Sequence, residues 1–127
     1  MTAALQIAAV AVGAAAGALA RWGTGLWLNS SYSGFPLGTL LVNVVGGLAV
    51  GMALEWFGRT PDELLRLLLV TGFLGGLTTF SSFSGESLTL LQRGAFGLAL
   101  THTLVHVIGS LVAAVLGLRL MQLLLKA

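Results

Sequence analysis

Four apolar stretches, each long enough to cross a lipid bilayer as a helix, dominate the chain: about residues 4–28, 37–57, 64–91 and 95–125. A hydrocarbon core about 30 Å thick is spanned by about 20 residues of helix. Inside hydrocarbon every backbone N–H and C=O needs an internal partner, which a helix supplies within one segment. Charged residues make up only 8% of the 127 and hydrophobic residues 57%, whereas soluble domains carry about 25% charged residues. So few charges cannot clothe a water-facing surface. The expectation is a single all-α membrane domain, residues 1–127, with four transmembrane helices in contact with the lipid bilayer.

Composition excludes several functions. The six Lys/Arg and four Asp/Glu are scattered singly, so no patch for nucleic acid exists. There is no cysteine, hence no disulfide framework and no thiolate metal site. No nucleophile–base pair or phosphate loop supports an enzyme. No positive charge precedes the apolar run from Ala3, and that run outlasts a signal peptide's h-region, so the N-terminus is expected to stay in the mature fold.

The segments between the stretches read as turns. Asn29-Ser30-Ser31-Tyr32-Ser33-Gly34-Phe35-Pro36 is dense in loop formers, and its Asn29-Ser30-Ser31 glycosylation match is too short to carry weight. Gly58-Arg59 closes the second span. Thr60-Pro61-Asp62-Glu63 then predicts a capping box, with Thr60 as N-cap, Pro61 at N1 and Glu63 at N3. Gln92-Arg93-Gly94 turns the chain into the fourth span. Gly13/Gly17 and Gly47/Gly51 are small-xxx-small pairs. Because lipid is as apolar as leucine, membrane helices associate by close packing, so these faces are expected at helix–helix contacts. With the N-terminus cytoplasmic, Arg59, Arg66, Arg119 and Lys126 share that side and Arg21 and Arg93 lie near the other. That positive-inside bias is slight.

The third span is interrupted. Thr71 to Glu86 lies at membrane depth yet is rich in Gly, Ser and Thr. Each glycine weakens a helix by about 1 kcal/mol, and the β-branched Thr78 and Thr79 add little helix preference. A break is expected near residues 75–79. Irregular backbone at this depth is tolerated only where it is buried in protein or lines a hydrated cavity. Freed carbonyls can hold a cation and half-helix N-termini an anion; alone, a kink filled by Ser/Thr self-bonding explains the break equally well.

The neighbouring polar residues tip the balance. Phe80 and Phe83 stand three apart on one helical face, Ser81 and Ser84 form a second stripe, and Ser82, Glu86 and Thr89 a third. Phenylalanines at helical spacing usually pack, but a ring's edge is positive and can sit beside an anion. Thr39, Asn43 and Gly46 align on the second span; Thr103, His106 and Ser110 align on the fourth. Asn43 brings two amide donors. Any one of these residues can be interhelical glue, whereas aligned stripes on three spans favour a polar pathway. His102 and His106 are an i, i+4 pair without an obvious third ligand, so zinc lacks support; His106 is expected on the pore face and His102 to pack elsewhere. Arg21 either anchors its helix at the interface or forms an anion-attracting vestibule.

Gly38-Thr39-Leu40-Leu41-Val42-Asn43 and Gly72 through Ser84, with Ala20-Arg21-Trp22, resemble the signature segments of the Fluc-type (CrcB) family of bacterial fluoride channels. The resemblance covers the whole chain. It implies a multi-pass protein of the bacterial inner membrane, folded as an antiparallel dual-topology homodimer that exports fluoride passively through two pores. It implies pore roles for Asn43, Phe80 and Phe83, with Ser81, Ser84, His106 and Ser110 as further lining, and a structural sodium ion held by the main-chain carbonyls of Gly75 and Thr78. The family's Phe-Ser-Thr-Phe stands here as Phe80-Ser81-Ser82-Phe83, which keeps the hydroxyl.

Two other functions fit a small four-span chain. A proton-coupled dual-topology drug transporter needs a carboxylate in its first span, and residues 1–28 contain none. A non-transporting assembly subunit would pass no ions at all.

Overall fold

The computed structural model describes residues 1–29 and 35–126. The loop expected between the first two spans falls largely on residues 30–34, outside the described residues, and the Asn29-Ser30-Ser31 motif with it. Four helices are long and apolar enough to cross a membrane: Ala3–Leu28, Leu37–Arg59, Glu63–Gln92 and Phe96–Lys126. The first two are α1 and α2. The third is composite: α3 (Glu63–Arg66), a π-helical segment (Leu67–Leu74), α4 (Gly75–Leu77) and α5 (Phe80–Gln92). The last is α6.

Local chemistry sets the ends. Thr2 opens α1 by accepting the Leu5 N–H. The third span starts later than the expected capping box at Thr60. Asp62 is the N-cap, its carboxylate accepting the Leu65 N–H at 3.0 Å. Thr60 instead closes α2, its N–H donating to the Trp56 carbonyl. Aspartate caps as well as threonine and adds a charge that suits the helix dipole. Glu63, relieved of the capping box, pairs with Arg66 at 3.0 Å. Between α5 and α6 the chain reverses at Gly94, whose φ of 74° lies in the left-handed region that favours glycine.

The glycine pairs do pack helices together. α2 packs most broadly on α6, and α1 on the π segment and α4. A Cβ on Gly51 would lie 2.0 Å from the Ala114 carbonyl oxygen, and one on Gly47 would lie 2.6 Å from that of Ser110. Gly13 and Gly17 meet the carbonyls of Leu68 and Phe73 as closely.

The break occupies fewer residues than expected. Gly75 and Gly76 remain helical, and only Thr78 (φ −84°, ψ 155°) and Thr79 (φ −152°, ψ 121°) are extended. β-Branched residues favour extended backbone, while Gly76 serves close packing: a Cβ there would lie 2.4 Å from the Ala14 carbonyl. The preceding π-helical stretch was not foreseen. Its leucines suit any helix; the stretch packs on α1, where Gly72 faces the carbonyl of Val10.

Candidate functional site

The break frees backbone groups, and two of the amides that leave the ladder, those of Thr79 and Ser82, find side-chain partners. In a continuous helix the Thr79 N–H would go to the Gly75 carbonyl; here it donates to Asn43 Oδ1 at 2.8 Å. Asn43 Nδ2 donates back to the Thr79 carbonyl at 3.0 Å. The Ser82 N–H goes to Thr79 Oγ1, which N-caps α5 at 3.0 Å. Arg21 Nε donates to the Gly76 carbonyl at 3.0 Å, replacing the amide that Phe80 would have offered. One asparagine from α2 and one arginine from α1 therefore hold the two half-helices in register. Gly46, a helical turn from Asn43, faces the Thr78 methyl.

Beside the break lies an aromatic cluster. Phe80 and Phe83 meet edge-on with ring centroids 5.4 Å apart. Phe83 stacks on His102 at 5.2 Å and tilts against His106 at 4.6 Å. The expectation that His102 packs away from this region is corrected: its side chain is fully buried here. His102 Nε2 lies 3.1 Å from Glu86 Oε1, and its Nδ1 lies 2.8 Å from Ser87 Oγ. Thr39 Oγ1 donates to Glu86 Oε2 at 2.6 Å and accepts from Asn29 Nδ2 at 3.2 Å. Glu86 is therefore a partly buried carboxylate bonded from α2 and α6.

This placement also removes the stated ground for setting zinc aside, because Glu86 is near both histidines. Donor atoms of Glu86, His102 and His106 lie within 4.8 Å of one another, and His₂Glu is a set that zinc takes. The hydrogen bonds decide the matter instead. His102 commits both ring nitrogens, to Glu86 and Ser87, and the Nδ1 of His106 lies 3.1 Å from Asn43 Nδ2. Of the four imidazole nitrogens only His106 Nε2 lacks a partner, so a metal on this set would have to displace the hydrogen bonds of the other three.

A cavity of about 570 Å³ opens next to the break. Asn43, Phe80, Phe83, His106 and Ser110 line it, and so do Gly75 and Thr78. These come from α2, the broken span and α6, the three polar stripes expected at membrane depth. Ser81 and Ser84 do not line it. Both are exposed; Ser84 Oγ donates to the Phe80 carbonyl, and Ser81 Oγ contacts Thr79 Oγ1. Arg21 borders a smaller cavity of about 270 Å³ with Trp22, Ser82 and Glu86. Sequence reasoning missed Thr79 as the hub of the break and missed the Glu86–His102 contact. The second had a signal. Glu86 and His102 stand eight residues before and after Gly94 (94 − 86 = 102 − 94), so a hairpin turning there sets them level.

The family model described as CrcB-like protein, Camphor Resistance (CrcB), matches residues 8–118. The chain belongs to the CrcB family. The matched region of this CrcB chain takes in Arg21, Asn43, the whole break, His106 and Ser110. It is 53% identical over 116 residues to a protein of Bordetella petrii named fluoride-specific ion channel FluC, covering 90% of this chain and 89% of that one. A Pseudomonas aeruginosa protein of the same name is 52% identical over 115 residues, covering 89% and 91%. One of Tolumonas auensis is 48% identical over 124 residues, covering 96% and 98%. With four spanning helices, the CrcB chain is a multi-pass membrane protein.

Proposed function

We propose that this CrcB chain is a fluoride channel, exporting fluoride passively across the bacterial inner membrane as an antiparallel, dual-topology homodimer with two pores. The observation that carries the reading is the uncharged, donor-bearing cavity beside the broken helix, in a chain about half identical to proteins named as fluoride channels. Fluoride is small and tightly hydrated. A pore that strips its water must return hydrogen-bond donors, yet hold the ion weakly enough to release it. His106 and Ser110 together with the ring edges of Phe80 and Phe83 supply that environment without a net positive charge in the cavity lining, and Asn43 lines the same cavity while holding the break and His106 in place. The process is permeation, not catalysis.

The exposure pattern supports a pore completed by a second copy. Phe80 is 77% exposed while Phe83, one helical turn on, is 7% exposed. Gly75, Ser81 and Ser84 are exposed on the same stretch. In this reading Ser81 and Ser84 act where the two subunits meet, and Arg21 draws anions toward the entrance. A structural sodium ion at the carbonyls of Gly75 and Thr78 also fits. Both carbonyls lose their helical donors, the Thr79 N–H to Asn43 and the Ser82 N–H to Thr79 Oγ1. Uncharged oxygens of this kind suit a hard cation. When bound, the ion supplies positive charge that offsets repulsion between anions, and these carbonyls hold it.

Substitution tests the pore assignment. Phe80→Ile and Asn43→Ser are expected to lower fluoride efflux from proteoliposomes by about tenfold or more, the effect of one lost or misplaced donor contact. Both proteins should still elute as dimers. Full efflux in both variants would overturn the assignment.

A further inference from the structure

We infer that Asn43 sets the tautomer of His106, leaving a buried, unpartnered Nε2–H that donates to the permeating anion. The inference rests on the channel reading above and adds to it a defined donor and the residue that positions it.

The orientation of Asn43 follows from the break. Its Oδ1 accepts the Thr79 N–H and its Nδ2 donates to the Thr79 carbonyl. A flipped amide would set oxygen against oxygen and N–H against N–H, so the backbone of Thr79 dictates which end is nitrogen. The second hydrogen on Nδ2 then points to His106 Nδ1, 3.1 Å away. Facing a donor, Nδ1 must offer its lone pair, and a proton there would oppose the amide hydrogen. A neutral imidazole that accepts at one nitrogen donates at the other, so the proton sits on Nε2.

Nε2 is where the hydrogen bonds stop. His106 is 4% exposed, and its Nε2 is the one buried side-chain nitrogen or oxygen among the described residues without a partner. An orphaned buried donor costs about 1–3 kcal/mol, and sites that keep one do so for a reason. His106 lines the cavity with Phe83 and Ser110, and its ring packs against Phe83 and His102. The group it suits is a small, hard hydrogen-bond acceptor, and fluoride is the anion that accepts most strongly at that size. The same accounting makes Asn43 a positioning residue: both its amide hydrogens are engaged, so it acts on the anion through His106 and through the shape of the break.

The protein has two histidines, so ¹⁵N-histidine labelling of the protein in liposomes gives a readable magic-angle-spinning spectrum, with His106→Gln assigning the peaks. The expected result for His106 is a protonated Nε2 and a bare Nδ1, with the Nε2–H resonance moving on addition of fluoride but not of chloride. In Asn43→Ser the loss of the donor should yield a mixture of tautomers. His106→Gln, which keeps an amide donor, should retain roughly tenfold more fluoride efflux than His106→Leu, which keeps none. A protonated Nδ1 in the wild type, or a resonance indifferent to fluoride in conducting liposomes, overturns the inference and leaves the channel reading intact. Absence of any fluoride efflux from wild-type liposomes overturns the channel reading, and the donor role with it.

Discussion

Polar residues in hydrocarbon need partners, and in this chain they hold one another. Thr39 shows how closely. Its hydroxyl donates to Glu86 while accepting from Asn29, so Thr39→Val keeps the shape and removes both bonds. The expected loss is about 1–3 kcal/mol, since it leaves a partly buried carboxylate short of a donor. Thermal unfolding in detergent measures it, and an unchanged midpoint would mean that Glu86 is served by water instead. Asn43 was legible in the sequence as a functional residue because it is an amide deep in a span. Its partner was not, because a bond between a side chain on α2 and the backbone of Thr79 depends on where the helix breaks, which sequence reading placed only to within a few residues. The contact of Glu86 with His102 was written in their equal spacing from Gly94, but reading it required trusting one glycine to make the turn.

At the scale of helices, close approach is the organising force. Gly51 admits the Ala114 carbonyl to 2.0 Å of where its Cβ would be, whereas Gly23 has nothing within 4 Å. Gly51→Val is therefore expected to abolish folded protein, because the obstruction is backbone that cannot rotate away. Gly23→Ala should express and elute as the wild type does. Gel filtration of both variants checks the pair, and a folded Gly51→Val would contradict the packing described. The number and extent of the spans were visible in advance because hydrophobic length is a one-dimensional signal. The π-helical turns of Leu67–Leu74, which pack on α1, were not, because nothing in their own residues sets them apart from an ordinary helix. The third span's start likewise lies at Asp62 rather than Thr60, whose N–H closes α2 instead.

On the scale of the whole molecule, the single chain leaves the face beside the break open. Phe80, Ser81 and Ser84 point away from the core while Asn43, Phe83 and His106 lie behind them. The account expects two copies in the functional particle, related so that this face is covered. Chemical cross-linking between single cysteines at position 81 (Ser81→Cys) in an otherwise cysteine-free chain should trap a covalent dimer in membranes; a cross-link-free monomer that still conducts would contradict it. A sequence exposes such a face only through resemblance, since apolar residues covered by lipid and by a partner look alike.

The most direct measurement is ion release from liposomes holding the purified wild-type protein, followed with a fluoride electrode beside a chloride electrode. The account predicts rapid fluoride release without chloride release. No fluoride release from a folded, reconstituted dimer, or equal release of the two anions, would contradict it.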